Sequence, residues 1–245
     1  METPEFVPES QKRVWLDRLQ AFFEVILLSG LFSSFVATVP FTLHKYGSEA
    51  LLKSVRVVTS FVLLEAGITF VLLALILKAH GENLAALGLH WHRWKGQLIL
   101  GIAVVPALFF VNGLVGGAFQ TFLPKYFSER NPLLEIIHTP GDLILFIISV
   151  LVAGGVKEEL QRAFILTRFH NHLGGARLGL VLWSIAFGAG HYVQGLQGML
   201  VAGLFGLVFG IVYLSRGNLI APIVSHGLYD TVALLGYWFL RGTAR

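Results

Sequence analysis

The chain has 245 residues, of which 55% are hydrophobic and only 13% charged, and its mean hydropathy is +0.73. That apolar content lies above the roughly 45–50% of soluble domains and excludes a water-soluble globular fold, which has no means of hiding so much apolar surface. The net charge of +4 comes from 18 Lys and Arg scattered without a basic run, so nucleic acid is not an expected partner, and zero cysteines exclude disulfides, thiolate nucleophiles and Cys-ligated zinc.

A membrane helix needs about 20 mostly apolar residues to cross about 30 Å of hydrocarbon. The sequence therefore predicts an all-α, polytopic transmembrane helical bundle with about seven spans, within a range of six to eight. Residues 1–18 are polar and precede a single membrane domain over 19–245. The apolar run after them lasts about 25 residues, longer than the roughly 7–15 of a cleavable signal core, and reads as a retained first span.

In chain order the predicted spans are 19–43, 57–78, 97–123, 142–169, 178–193, 197–214 and 219–240. The first three, within 19–123, are plain apolar stretches interrupted by single polar residues, Glu24, Glu65 and Asn112, each read as an ordinary polar group facing a neighbouring helix. Between the second and third spans, segment 79–96 mixes leucines with Trp91, Trp94, His90, His92, Arg93 and Lys95, a pattern that suits a short interfacial segment anchored by its Trp rings. Region 124–141, with Pro124, Pro132 and Pro140, reads as a longer loop that separates the plain spans from the polar-bearing ones in 142–240.

Ionisable residues concentrate in those later spans. The run LILFIISVLVAGGVKEELQRAFILTRF starts as an apolar span, places Lys157, Glu158, Glu159 and Arg162 in succession, and resumes its apolar pattern at Ala163. Each charge at the bilayer centre costs about 2.5–3.5 kcal/mol on insertion scales, so four together require pairing, water or a function. Glu158 and Arg162, four apart, share a helix face and suit an ion pair, with Glu159 turned about 100° away. The plainer reading is a helix end at the membrane surface with solvated charges.

Two further segments carry matching chemistry. LGLVLWSIAFGAGHYVQG places His191 near the end of an apolar span, one turn after Phe187, where the plainer reading is an imidazole bonded to a backbone carbonyl. LIAPIVSHGLYDTVALLGYWFL carries His226 and Asp230 four apart on one face, and a carboxylate one turn from an imidazole fixes its tautomer. Convergence on one cavity is the simplest account. Carboxylates and histidines around a water suit attack on an amide carbonyl, by general base catalysis or with a metal lowering the water's pKa, while the second histidine or Arg162 meets the oxyanion.

KEELQRAF, FGAGH and HGLYD, in that order on successive hydrophobic segments, resemble the three motifs of the CPBP family of intramembrane proteases, also called the Abi or CAAX-protease family, with an Rce1-like pattern. The resemblance covers about residues 142–235. It implies a helical membrane endopeptidase with Glu158 or Glu159 as the water-activating carboxylate, assisted by Arg162, His191 and His226, and with Asp230 where Asn often stands. The family pattern has three residues between the Glu pair and the Arg, and this chain has only Leu160 and Gln161. Aligned on Arg162, Lys157 takes the first Glu position; because Lys cannot act as a carboxylate base, Glu158 is favoured and Glu159 stays open.

The cofactor is either none or a divalent metal such as zinc, since the family has been described both as metalloproteases and as glutamate-dependent proteases. Candidate ligands are Glu158, His191 and His226. The expected partners are membrane lipids and a membrane-associated or lipidated peptide substrate, and the expected location is the cell membrane. The competing readings are an ion- or proton-coupled transporter using the same groups and a catalytically inactive membrane scaffold.

Overall fold

The computed structural model describes residues 9–43, 53–128 and 131–243, so residues 1–8 of the polar N-terminal segment lie outside the described residues. Every regular element among them is helical, without a strand. Helix α1 (Glu9–Leu28) is followed by α2 (Leu31–Leu43), α3 (Val55–Ala79) and α4 (Trp94–Phe122). The motif-bearing half is α5 (Pro140–Ser149), a π-helical segment (Val150–Glu158), α6 (Glu159–His172), α7 (Ala176–Gly190), α8 (Gly195–Arg216) and α9 (Ile220–Thr243).

Among the described residues, four stretches are long and apolar enough to cross a membrane: Arg13–Leu43, Val55–Ala79, Trp94–Phe122 and Tyr192–Arg216. Side chains such as Phe35, Val71, Ile99 and Phe110 stand exposed on them, as lipid-facing groups do. The chain is an integral membrane protein. The segments with the ionisable cluster are not among the four: α7 is only 15 residues long, and the others interrupt their apolar runs with charged groups or imidazole.

The expected first span, 19–43, is two helices. The chain breaks at Ser29 and Gly30, where Gly30 takes φ +94°, a left-handed conformation favoured by the missing Cβ. A helix end leaves carbonyls without intrahelical partners. Here Gln161 of α6 donates its side-chain amide to the Leu28 carbonyl, so the break becomes a docking point for the motif helix.

Two expected connections have more structure than a loop. Within 79–96, Asn83 caps a 3-10 turn (Leu84–Leu87) by accepting from the Ala85 and Ala86 amides at 3.0 and 3.3 Å, and Leu87 is fully buried. Trp91 and Trp94 remain exposed. Within 124–141, Ile136 and Ile137 are buried against Val55, Val58, Leu143 and Phe146, because this stretch folds back over the foot of α3 and α5. Thr139 and Asp142 then form a reciprocal capping box that fixes where α5 begins.

Packing puts α8 against α7 and α9 against both α4 and the π segment. Gly188 makes the first contact possible, since a Cβ there would lie 2.6 Å from the Met199 carbonyl oxygen. The main apolar core joins Leu28, Leu73, Leu77, Phe164, Trp183 and Leu219 around α6.

At one end of that core a polar network ties α1, the end of α3 and α6 together. Arg168 is nearly fully buried and donates to Glu24 at 2.7 Å and to both Glu82 oxygens at 3.0 and 2.8 Å, while His80 meets Glu24 at 2.6 Å. Glu24 is therefore one partner in a network, where the sequence reading made it an isolated polar residue.

Two stability outcomes follow, both measured by unfolding of the detergent-solubilised protein. Arg168→Met leaves Glu24 and Glu82 without their cation and lowers stability by about 3–5 kcal/mol. Gly188→Val forces α7 and α8 apart and lowers it by about 1–3 kcal/mol.

Candidate active site

Glu158 is the last residue of the π segment and Glu159 the first of α6. A π-helix closes its hydrogen bonds to i+5, is rare, and occurs mostly as a short insert at functional sites. Its wider turn re-aims the two successive carboxylates, which consequently have different surroundings. Glu159 has no exposed surface, whereas the Glu158 side chain keeps 19% of its own.

Glu159 Oε1 accepts from Arg162 Nη1, one turn further along, and from His226 Nδ1 at 2.7 Å. The expected Glu158–Arg162 pair is thus replaced by Glu159–Arg162. The fully buried carboxylate needs a cation more than the partly exposed one does, and α6 turns both groups into the same apolar interior. Arg162 is itself fully buried, its guanidinium 4.9 Å from the Phe187 ring and 5.3 Å from the Phe209 ring. These aromatic faces meet the cation where no further anion is present. A helix end with solvated charges does not describe this group.

His226 is held on three sides. Its ring stacks on Phe209 at 4.6 Å and 19°, meets Phe187 edge-on at 6.3 Å, and donates from Nδ1 to Glu159. A carboxylate can only accept, so the proton sits on Nδ1 and Nε2 is left for other chemistry. Nε2 lies 3.7 Å from Glu158 Oε2 and 3.6 Å from Asp230 Oδ2. Gly154 of the π segment makes this convergence possible: a Cβ there would lie 2.9 Å from Asp230 Oδ2 and 3.4 Å from His226 Nε2.

His191 closes α7 and its Nδ1 meets the Phe187 carbonyl at 2.8 Å. The backbone-bonded arrangement is therefore real for one nitrogen and leaves Nε2 uncommitted. The ring packs on Phe187 at 4.6 Å, and Asp230 interacts electrostatically with His191 as well as with Glu158, Glu159 and His226. All six residues singled out in the sequence thus gather in one region, with Phe187 touching His191, Arg162 and His226.

Three neighbours carry little signal in the sequence. Phe209, on α8, is fully buried and serves both Arg162 and His226, yet it is one of 20 phenylalanines. Lys157 and Glu65 form a buried ion pair at 2.9 Å, and Glu65 Oε1 also accepts from Ser33 at 2.6 Å and Thr69 at 3.1 Å. Glu65 is therefore no isolated polar residue. The available signal is one carboxylate and one ammonium, each within apolar helices, which need each other there.

Among the described residues no group of three or more His, Cys, Asp or Glu is arranged to hold a metal ion, so Glu158, His191 and His226 do not form a ligand set as they stand. Both imidazole Nδ1 atoms are engaged.

A family model described as Type II CAAX prenyl endopeptidase Rce1-like matches residues 139–232. No curated protein matches the chain, and no solved structure does. The matched stretch runs from the Thr139 cap of α5 to two residues beyond Asp230 and contains every residue of the cluster. The resemblance read from the three motifs is thus matched by the Rce1-like family model over residues 139–232 of this membrane protein.

Proposed function

We propose that the chain is an intramembrane endopeptidase that hydrolyses peptide bonds of membrane-associated, lipidated peptides or proteins by a Glu- and His-activated water. The observation that carries this reading is the convergence of Glu158 Oε2 and Asp230 Oδ2 on His226 Nε2, at 3.7 and 3.6 Å, while Glu159 fixes Nδ1. A spacing of this size leaves both groups within reach of one water. Phe187 and Phe209 surround the imidazole and give the site the low dielectric in which charge stabilisation is strongest.

Glu158 takes the proton of that water as its oxygen bonds to the carbonyl carbon. His191 or His226, as an imidazolium with its second proton on Nε2, donates to the developing oxyanion. The proton then passes from Glu158 to the leaving nitrogen as the C–N bond breaks. Asp230 balances the charge on His226 from one helical turn away. Glu159 and Arg162 act through His226 and are positioning residues. Arg162 is fully buried with Nη1 on Glu159, while its Nε and Nη2 have no hydrogen-bond partner among the described residues. In this reading the motif helices also cross the bilayer, which makes about seven spans in the cell membrane.

The test is incubation of the purified protein in liposomes with a membrane-peptide library that includes a farnesylated CAAX peptide, with and without chelator. Glu158→Gln lowers the cleavage rate by about 10²–10⁴, the usual contribution of a general base. If Glu158→Gln and Glu159→Gln both fold and both leave cleavage intact, the assignment is wrong. Arg162→Lys fails to restore full activity, because an ammonium cannot lie flat between two rings as guanidinium does. The chelator arm reads metal dependence directly.

A further inference from the structure

The cluster does not end at the motif helices. Ser33 of α2 and Thr69 of α3 both donate to Glu65 Oε1, at 2.6 and 3.1 Å, and the other oxygen, Oε2, lies 2.9 Å from Lys157 Nζ. Lys157 Nζ is in turn 3.8 Å from Glu158 Oε1, and Glu158 Oε2 is 3.7 Å from His226 Nε2. The two oxygens of Glu158 are therefore divided, one towards a lysine and one towards the imidazole. Glu65 and Lys157 are each more than nine-tenths buried.

We propose that Lys157, clamped by Glu65, is a positioning residue that holds Glu158 Oε1 and so presents Oε2 to His226 and the attacking water. This rests on the reading of Glu158 as the water-activating base. Stability alone is a weak reason for such a pair, since a buried ion pair is commonly replaced by apolar residues of similar size without loss. Placement adds the reason. Lys157 is covalently next to Glu158 at the end of the π segment, and Glu65 is fixed by two hydroxyl donors before it meets the lysine. A side chain so held cannot follow Glu158 if the carboxylate turns away. A misplacement of about 1 Å at a reacting group is enough for a loss of about a hundredfold in rate. The three N-terminal helices would then serve the reaction through one carboxylate, Glu65.

The test uses the full chain in liposomes and compares the double variant Glu65→Leu/Lys157→Met with the wild type in three measurements. Thermal unfolding stays close to wild type, since both charges leave together. Cleavage of a farnesylated CAAX peptide falls about a hundredfold in kcat with little change in KM. Labelling of Glu158 by a membrane-permeant carbodiimide, mapped by mass spectrometry, rises severalfold because the carboxyl has lost its cationic neighbour. Lys157→Arg keeps the charge and retains most of the wild-type rate and low labelling.

Wild-type kcat and unchanged labelling in a folded double variant would overturn the proposal and leave the pair as packing. Labelling does not require turnover, so a wild type that cleaves nothing, with labelling that rises in the double variant, keeps the positioning role and removes the protease reading. If the double variant does not fold, Lys157→Gln takes its place: raised Glu158 labelling supports the clamp, and unchanged labelling overturns it.

Discussion

Glu159 has no exposed surface, and its charge is tolerated because Arg162 and His226 Nδ1 meet the same carboxylate oxygen. Removing either partner leaves a buried charge uncompensated, which costs far more than the pair contributes. This constraint arranges the rest of the site. Arg162 packs its guanidinium over the Phe187 and Phe209 rings, His226 is left with Nε2 as its free nitrogen, and α9 must come close enough to α6 for Nδ1 to reach Glu159. The π segment and Gly154 supply that approach, since a Cβ at Gly154 would fall against Asp230.

The motif helix is bound to the N-terminal helices at three heights. Gln161 caps the broken end of α1, Lys157 pairs with Glu65 on α3, and Arg168 joins Glu24 on α1 to Glu82 beyond α3. In an apolar medium there is little hydrophobic drive between helices, so polar contacts and small residues fix their relative position. The three N-terminal helices carry no motif of their own, but the chain of bonds shows how they set the position of a helix whose charged face has to be placed accurately.

Much of this was legible in the residues. The all-helical membrane architecture follows from composition, and the six clustered residues follow from charges, imidazoles and carboxylates that apolar helices do not carry without cause. The pairing within the cluster was not legible. A regular helix puts Arg162 within reach of both Glu158, four residues back, and Glu159, three residues back, and it is the burial of Glu159 that decides between them, which spacing does not show. The break at Ser29 and Gly30 was hidden because a single glycine within an apolar run seldom ends a helix. Glu24 and Glu65 read as isolated because the cations they meet, Arg168 and Lys157, lie 144 and 92 positions away, a separation that spacing rules cannot see. Phe209 was invisible among the other phenylalanines for the same reason: its role comes from tertiary packing.

In the proposed mechanism the cluster activates water directly against a peptide bond. Single-turnover cleavage of a farnesylated CAAX peptide in oxygen-18 water tests it most directly, with product and protein both analysed by mass spectrometry. Attack by activated water places heavy oxygen in the new carboxyl terminus after one turnover and leaves Glu158 and Glu159 unlabelled. A first-turnover product without heavy oxygen, accompanied by label in Glu158 or Glu159, would instead mean direct attack by the carboxylate and contradict it, as would the absence of any cleavage.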